Sequence, residues 1–357
     1  MTSLMEKMKK SGTIKDVNTL QDSIYFNNKD CIPTDLPLLN VAFSGEIDGG
    51  VSSGIGFICG ESRTYKTLLA LYLMKAYFNK YDDAIGLLYD SEYGVTPEYL
   101  RANGIDPNRV LHIPIENIEQ LKFDLSKRLD DIKRGDHVYI MVDSLGLLPS
   151  VKEATDALEG KAVTDMTRAK QIRSTLRILA PHIVKKSLIM SIINHFYLEQ
   201  GAMYPKAIVS GGQAVILVAN WIFLISKSVD KEGTELVGNN FTITIEKSRF
   251  VKEKSKFKYN VNYKNGIYKW SGVLEWAIEA GLVKQSGAWY QLYDFDSQTF
   301  AEKKTLSKNI PSSFYEALLK NEKFKEFIKE KFKLTGHYDE NENMDDYSDD
   351  VLDDLDD

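Results

Sequence analysis

No apolar run in this chain is long enough to cross a bilayer, and the opening residues, MTSLMEKMKKSGTIKD, lack the hydrophobic centre of a secretory signal. Cysteine is nearly absent: Cys31 and Cys59 are the two in 357 residues, and no metal-ligand spacing relates them. These shortages argue against a membrane span and a thiolate metal site, and they fit a protein of a reducing cytosol. Cys59 falls in an apolar stretch, where it reads as a small buried hydrophobe. What the chain has instead is 43% hydrophobic and 27% charged residues, enough for one large α/β core with smaller appendages. Its formal charge of −6 is unevenly spread. Residues 339–357 hold eleven carboxylates and no base, which leaves 45 basic and 40 acidic residues on the rest, a body of +5. Such an acidic tail is expected to be disordered and to interact with basic surfaces.

One further shortage, a missing glycine, marks the stretch around which the chain is organised. Residues 55–69, IGFICGESRTYKTLL, read as an apolar strand (Ile55, Phe57, Ile58, Cys59) broken at Gly60. A polar loop follows, then a helix carrying Leu68, Leu69, Leu71, Leu73 and Met74. The order is that of a phosphate-binding loop, G-x-x-x-x-G-K-[ST], except that Tyr65 stands where the second glycine belongs. Backbone amides of Gly60, Glu61, Ser62, Arg63, Thr64 and Tyr65, with the helix mouth through Leu68, would cradle phosphate oxygens. Lys66 would reach the β- and γ-phosphates, and the Thr67 hydroxyl would ligate Mg²⁺. The plainer reading is an ordinary strand-to-helix turn with a solvated lysine.

Downstream, residues 84–89 (AIGLLY) are of buried-strand type and end in Asp90, Ser91 and Glu92, where the crevice of a parallel sheet opens. A helix is expected over 97–103, a strand over 110–113 and an amphipathic helix over 116–134. Residues 138–142 (VYIMV) form another buried strand, closed by Asp143 and Ser144. An apolar strand ending in Asp is the companion of a phosphate-loop lysine, because its carboxylate orders the water shell of the Mg²⁺ near Thr67. Residues 147–164 are polar and irregular at their far end, and a helix with Arg168, Lys170, Arg173 and Arg177 follows. Core strands are expected over 188–193, before Asn194 and His195, and over 221–225 and 241–246, with 196–210 a loop. The alternation predicts an α/β fold with a sheet mostly parallel at its centre. An arm over 1–45, with Leu4, Met5 and Met8 at helical spacing, precedes a core over 46–265. A small α/β lobe over 266–338 and the tail over 339–357 complete the chain.

In order and spacing, several phrases resemble the RecA-type recombinases, and in particular their branch in tailed bacteriophages. They are YDSEYGVTPEYL from Tyr89, VDSLG from Val142, TDMTRAK from Thr164, INH ending at His195, SGG ending at Gly212 and IEKSRFVKEKSKF from Ile245. The resemblance covers residues 32–332, and that branch shares an aromatic at the place of Tyr65. It implies a RecA-like P-loop ATPase core binding ATP and Mg²⁺. Lys66 and Thr67 would hold phosphate and the ion, supported by Asp143, through water, and by Ser144. Glu92 takes the place of the general base that polarises the attacking water, its plain alternative being a solvated carboxylate. Tyr99 falls where the family stacks an aromatic on adenine, although it could equally be core, and Tyr263 matches a second aromatic at the nucleotide's edge. His195 stands where bacterial members carry a glutamine that senses the γ-phosphate. Lys247 and Arg249 match two basic residues that reach a neighbouring subunit's γ-phosphate in trans. Read alone, KSRFVKEKSK is a charge run, and such runs are usually solvated.

The same resemblance implies two loops, about 150–166 and 196–210, that line a filament axis and meet DNA. Arg168, Lys170, Arg173 and Lys206 are the cationic candidates, and Phe196, Tyr197, Met203 and Tyr204 could stack on or wedge between bases. Gly211 and Gly212 would offer backbone amides to a phosphate. The first loop is acidic (Glu153, Asp156, Glu159) and is expected to supply geometry more than charge. The expected function is a DNA-dependent ATPase that forms helical filaments on single-stranded DNA and exchanges strands with homologous duplex DNA. It would serve phage recombination, repair and recombination-dependent replication in the host cytoplasm, with a single-strand-binding protein and a recombination mediator as further partners. Two readings share the motifs. One is a hexameric helicase of the same fold, which would close into rings; the other is a DNA-binding scaffold that uses ATP only as a clamp, against which Glu92 stands.

Overall fold

The structure is a computed structural model that describes all residues except 1, 15–16, 26–30, 162–166, 200–206, 233–234, 263, 265 and 335–357. Tyr263, Met203, Tyr204, Lys206 and the acidic tail therefore lie outside the described residues. After helices α1 (Thr2–Ser11) and α2 (Pro37–Ser44), strands and helices alternate. They are β1 (Gly54–Gly60), α3 (Lys66–Lys80), β2 (Ile85–Asp90), α4 (Pro97–Ala102), β3 (Val110–Pro114), α5 (Ile118–Asp131), β4 (Val138–Asp143), α6 (Val151–Leu158), α7 (Thr167–Lys185) and β5 (Ile189–Asn194). A hairpin of β6 (Phe196–Leu198) and β7 (Ala207–Val209) leads through α8 (Gln213–Val218) to β8 (Trp221–Glu232), β9 (Glu235–Ser248), β10 (Lys256–Asn262) and β11 (Gly266–Ile267). The C-terminal lobe comprises α9 (Val273–Glu279), β12 (Val283–Ser286), β13 (Trp289–Asp294), β14 (Thr299–Phe300), β15 (Thr305–Leu306), α10 (Ser312–Lys320) and α11 (Glu322–Phe332).

One nine-stranded sheet, in the order β11-β10-β9-β8-β1-β5-β4-β2-β3, organises the core. Neighbours from β8 to β3 are parallel. From β8 to β11 they are antiparallel. Parallel strands are covered on both faces, which is why β1, β4 and β5 are apolar runs buried at every position. Alternate residues serve opposite faces. Ile58 joins the apolar cluster of α2 and α3, whereas Phe57 and Cys59 join that of α5 and α7.

The buried core reaches further toward the N-terminus than the polar character of residues 1–45 suggests. Ile32, Leu36 and the α2 residues Leu38, Leu39, Val41 and Phe43 are buried, and Phe43 packs 5.0 Å from Trp221 and 4.8 Å from Phe223. On α1, by contrast, Leu4, Met5 and Met8 are exposed. A core strand also begins where the charge run at 247–256 ends. In β10, Lys256 and Lys258 face outward, and Phe257, Tyr259 and Val261 are buried. Part of residues 147–164 is helical: Ser150 and Glu153 form a capping box at the start of α6. In the lobe, α11 returns to the core, where the Leu334 amide donates to the Phe250 carbonyl and Lys333 donates to Glu46 at 2.6 Å. Among the described residues, no helix is long and apolar enough to cross a membrane.

Candidate nucleotide site

The carboxyl ends of β1, β5, β4 and β2 lie side by side, where ligands of open α/β sheets bind. β1 delivers the phosphate loop. Its Gly60 is sterically required: a Cβ there would lie 2.5 Å from Thr64 Oγ1 and 3.0 Å from the Ile225 carbonyl. The Thr64 hydroxyl donates to the Glu61 carbonyl at 2.8 Å and tightens the loop. Tyr65 caps α3 with φ 57° and ψ 30°, the left-handed conformation that a glycine would adopt without strain. Its ring lies edge-on to Phe241 of β9 at 5.4 Å, and Phe241 stacks on Tyr259 of β10 at 5.4 Å. Packing against the antiparallel limb of the sheet thus holds the backbone at the position of the missing glycine.

Lys66 is 7% exposed, and its ammonium donates to the Gly60 and Glu61 carbonyls at 3.1 and 2.6 Å. Burial holds its pKa below the usual lysine range, opposed by the charges of Glu92 and Asp143. Thr67 donates its hydroxyl to Asp143 Oδ2 at 2.9 Å. Asp143 Oδ1 is buried without a hydrogen-bond partner. Burial pushes the Asp143 carboxyl up to about 7; the Thr67 hydrogen bond and Lys66 oppose this, and Glu92 and Asp90 add to it. A hydroxyl that gives its proton to a carboxylate keeps its lone pairs for a cation, and a buried unpartnered oxygen calls for an ion or a water. Thr67 and Asp143 therefore fit a hydrated Mg²⁺. Among the described residues no group of three or more His, Cys, Asp and Glu side chains could hold a metal, so such an ion would depend on the hydroxyl, waters and substrate phosphates.

Glu92 follows β2. Its Oε1 accepts the Ser144 hydroxyl at 2.6 Å, and His195 Nε2 stands 4.0 Å from the same oxygen. Ser91 joins the two strand ends: its amide donates to the Asp143 carbonyl at 2.8 Å, its hydroxyl donates to the Ser144 carbonyl at 3.0 Å and accepts the Ser144 amide at 3.0 Å. The Asp143–Ser144 peptide is cis. His195 comes this close because residue 146 is glycine, where a Cβ would lie 2.6 Å from His195 Cδ2. Burial, with Lys66 nearby, holds the His195 pKa below the ordinary imidazole value. Tyr99 is half-buried against the core, and Tyr65 and Asp143 are among the groups acting on its hydroxyl.

Lys66, Thr67, Glu92, Asp143, Ser144 and His195 thus converge. Lys247 and Arg249 do not join them. Gly60 is level with Ile225 and Ile243, whereas Ser248 is level with Trp221 and Gly56, toward the start of β1. Five residues at about 3.3 Å each carry β9 roughly 16 Å away from the phosphate-loop end of the sheet. Lys247 donates to the Ile216 carbonyl of α8, and Arg249 is exposed.

The expected DNA-facing residues divide. Arg168 spends its guanidinium on the Leu145, Gly146 and Leu148 carbonyls at 3.3, 2.8 and 2.9 Å, fastening α7 to the loop after β4. Lys170 and Arg173 are exposed on α7. Phe196 is partly buried against the core and Tyr197 is exposed. Gly212 caps α8, with Gly211 before it, both at positive φ. The hairpin is tied to the site, since the Ser210 amide donates to the His195 carbonyl at 3.0 Å and the Asn194 amide group to the Ser210 carbonyl at 2.7 Å.

No motif or spacing points to His112, which the structure places against Asp90. Asp90 is 1% exposed; its Oδ1 accepts the Glu92 and Tyr93 amides at 2.9 and 2.7 Å, and Oδ2 lies 3.1 Å from His112 Nε2. The contact depends on the pairing of β3 with β2, where His112 is level with Leu88, and no local pattern announces that register.

Comparison with known proteins agrees with this geometry. The RecA N-terminal domain family matches residues 4–268. Over 348 residues the chain is 40% identical to the recombination and repair protein of Enterobacteria phage T4, covering 96% of this chain and 88% of that protein. It is 28% identical over 246 residues to the RecA protein of Chlorobium limicola, 68% of each chain. It is 29% identical over 246 residues to that of Chlorobaculum tepidum, covering 68% and 69%. A match spanning most of the length, on a mostly parallel sheet whose strand ends carry this phosphate loop and its acidic partners, makes the chain a member of the RecA family.

Proposed function

We infer that the protein is a RecA-like recombinase, an ATPase that works on DNA, forms helical filaments on single strands and exchanges them with homologous duplex. The observation that carries the reading is the convergence of Lys66, the Thr67–Asp143 pair and the Glu92–Ser144 pair at the carboxyl ends of three strands of one sheet. Lys66 places a point charge on the β- and γ-phosphates, and the loop amides hold their oxygens. Thr67 would hold Mg²⁺ directly and Asp143 through water; when bound, the ion neutralises charge on the transferring phosphoryl group. Ser144 fixes one carboxylate oxygen of Glu92, leaving the other to take the proton of the attacking water. His195 lies between Glu92 and the β6–β7 hairpin, so a hydrogen bond from it to the γ-phosphate would link nucleotide state to the segment expected to meet DNA. The sheet register keeps Lys247 and Arg249 from the chain's own loop and favours their service to a neighbouring copy.

Glu92→Gln tests the reading. The variant is expected to bind ATP and single-stranded DNA but to release phosphate roughly 10² to 10⁴ times more slowly. Turnover at the parental rate would assign the base elsewhere. Electron microscopy of the parent with an ATP analogue and single-stranded DNA tests the assembly: open helices are expected, and closed rings would favour a helicase.

A further inference from the structure

We propose that His112 is a positioning residue for ATP hydrolysis, acting through Asp90 on the turn that carries Glu92. The proposal rests on Glu92 as the base. A carboxylate only accepts hydrogen bonds, so the imidazole Nε2 that faces Asp90 Oδ2 at 3.1 Å carries the hydrogen. The other oxygen, Oδ1, receives the amides of Glu92 and Tyr93 together. Tyr93 has φ 56°, a left-handed conformation costly for a non-glycine residue, and these two bonds help to hold it there.

Glu92 is thus held at both ends, its backbone by Asp90 and its carboxylate by Ser144. Rotation of the Asp90 carboxylate would release the backbone end. Among the described residues, His112 is the side chain bonded to Oδ2, and Asp90 is nearly inaccessible to solvent. Without the imidazole a buried anionic oxygen is left unpaired, and the carboxylate gains by turning toward water. That turn draws Oδ1 from the two amides and lets Glu92 drift from the attacking water. The nucleotide's own contacts lie on Lys66 and Thr67, at other strand ends, and do not pass through His112.

The test compares His112→Phe with His112→Gln in the full-length chain, by steady-state ATP hydrolysis on single-stranded DNA. Phenylalanine keeps a ring beside Tyr93 and loses the donor; the amide of glutamine can restore a donor near the place of Nε2. His112→Phe is expected to lower kcat about tenfold, with KM for ATP unchanged, because misplacement of a catalytic group costs rate and not ground-state binding. His112→Gln is expected to recover most of that loss. A parental kcat in His112→Phe, an equal loss in both variants, or a loss confined to KM overturns the proposal. Glu92→Gln is run alongside. If it hydrolyses ATP at the parental rate, the base assignment itself falls and this proposal with it; if it is slow while His112→Phe is normal, only the role of His112 falls.

Discussion

Tyr65 shows how one side chain can hold a backbone conformation that usually belongs to glycine. Replacing it with alanine removes the ring from Phe241 and keeps the cost of a left-handed β-carbon; replacing it with glycine removes both. Tyr65→Gly is therefore expected to be more stable than Tyr65→Ala by about 1 kcal/mol, measured by denaturant unfolding. A larger stability in the alanine variant would show that the backbone moves out of the left-handed region. Asp143 makes a second prediction. Burial raises its folded pKa to about 7 from the ordinary 3.8, so between these values the folded chain binds more protons than the unfolded one, and stability falls as pH rises. Asp143→Asn, whose amide oxygen can still accept from Thr67, should raise Tm in magnesium-free buffer more at pH 8 than at pH 5, and should abolish hydrolysis. An equal shift at both values would show that the carboxyl is not strained by burial. Asp143 and Glu92 were legible in the sequence because they stand at or just past the end of an apolar run that becomes a parallel strand, and Lys66 and Thr67 because they open the helix after such a run and its polar loop. His112 was not, because its partner is fixed by pairing between strands.

At the scale of elements, periodicity revealed the strands buried on both faces and missed those that alternate. The segment that follows the charge run at 247–256 does not read as a strand because every second residue of β10 is lysine or asparagine on its outer face, while Phe257, Tyr259 and Val261 line the inner one. Phe257 packs 6.1 Å from Trp276 of α9 and 4.9 Å from Phe332 of α11, joining sheet to lobe. Phe257→Ala should cost about 3–5 kcal/mol in unfolding free energy. Lys258→Ala, one residue on and exposed, should fall within about 0.5 kcal/mol of the parent. Similar losses in both would mean that β10 does not bury one face. β8 and β9 outran their apolar segments for a related reason: they go on pairing through residues such as Lys227, Ser228 and Asn240, which no apolar pattern marks.

At the scale of the whole molecule, the proposed service of Arg249 to a neighbouring loop makes a prediction about assembly. On that proposal Arg249→Ala should damage the neighbour's site, whereas Lys66→Ala should damage its own. Each alone should hydrolyse little ATP. Mixed, they should regain activity at about one interface in four, where an intact loop meets intact basic residues. No recovery in mixed filaments would place Arg249 outside the shared site.

On the proposed trans contact, a subunit whose nucleotide loop and basic residues lie toward opposite ends of one sheet would join its neighbours by unlike surfaces, and a chain of unlike surfaces does not close unless its rotation brings it round. Every such polymer has two different termini. One leaves a loop that no neighbour serves, and the other leaves basic residues with nothing to reach. Hydrolysis would then belong to junctions, so n subunits would have n − 1 working sites, and a short polymer would be slower per subunit than a long one. The terminal subunit with the unserved loop would also keep its nucleotide longest, which gives the polymer one end that ages and one that renews.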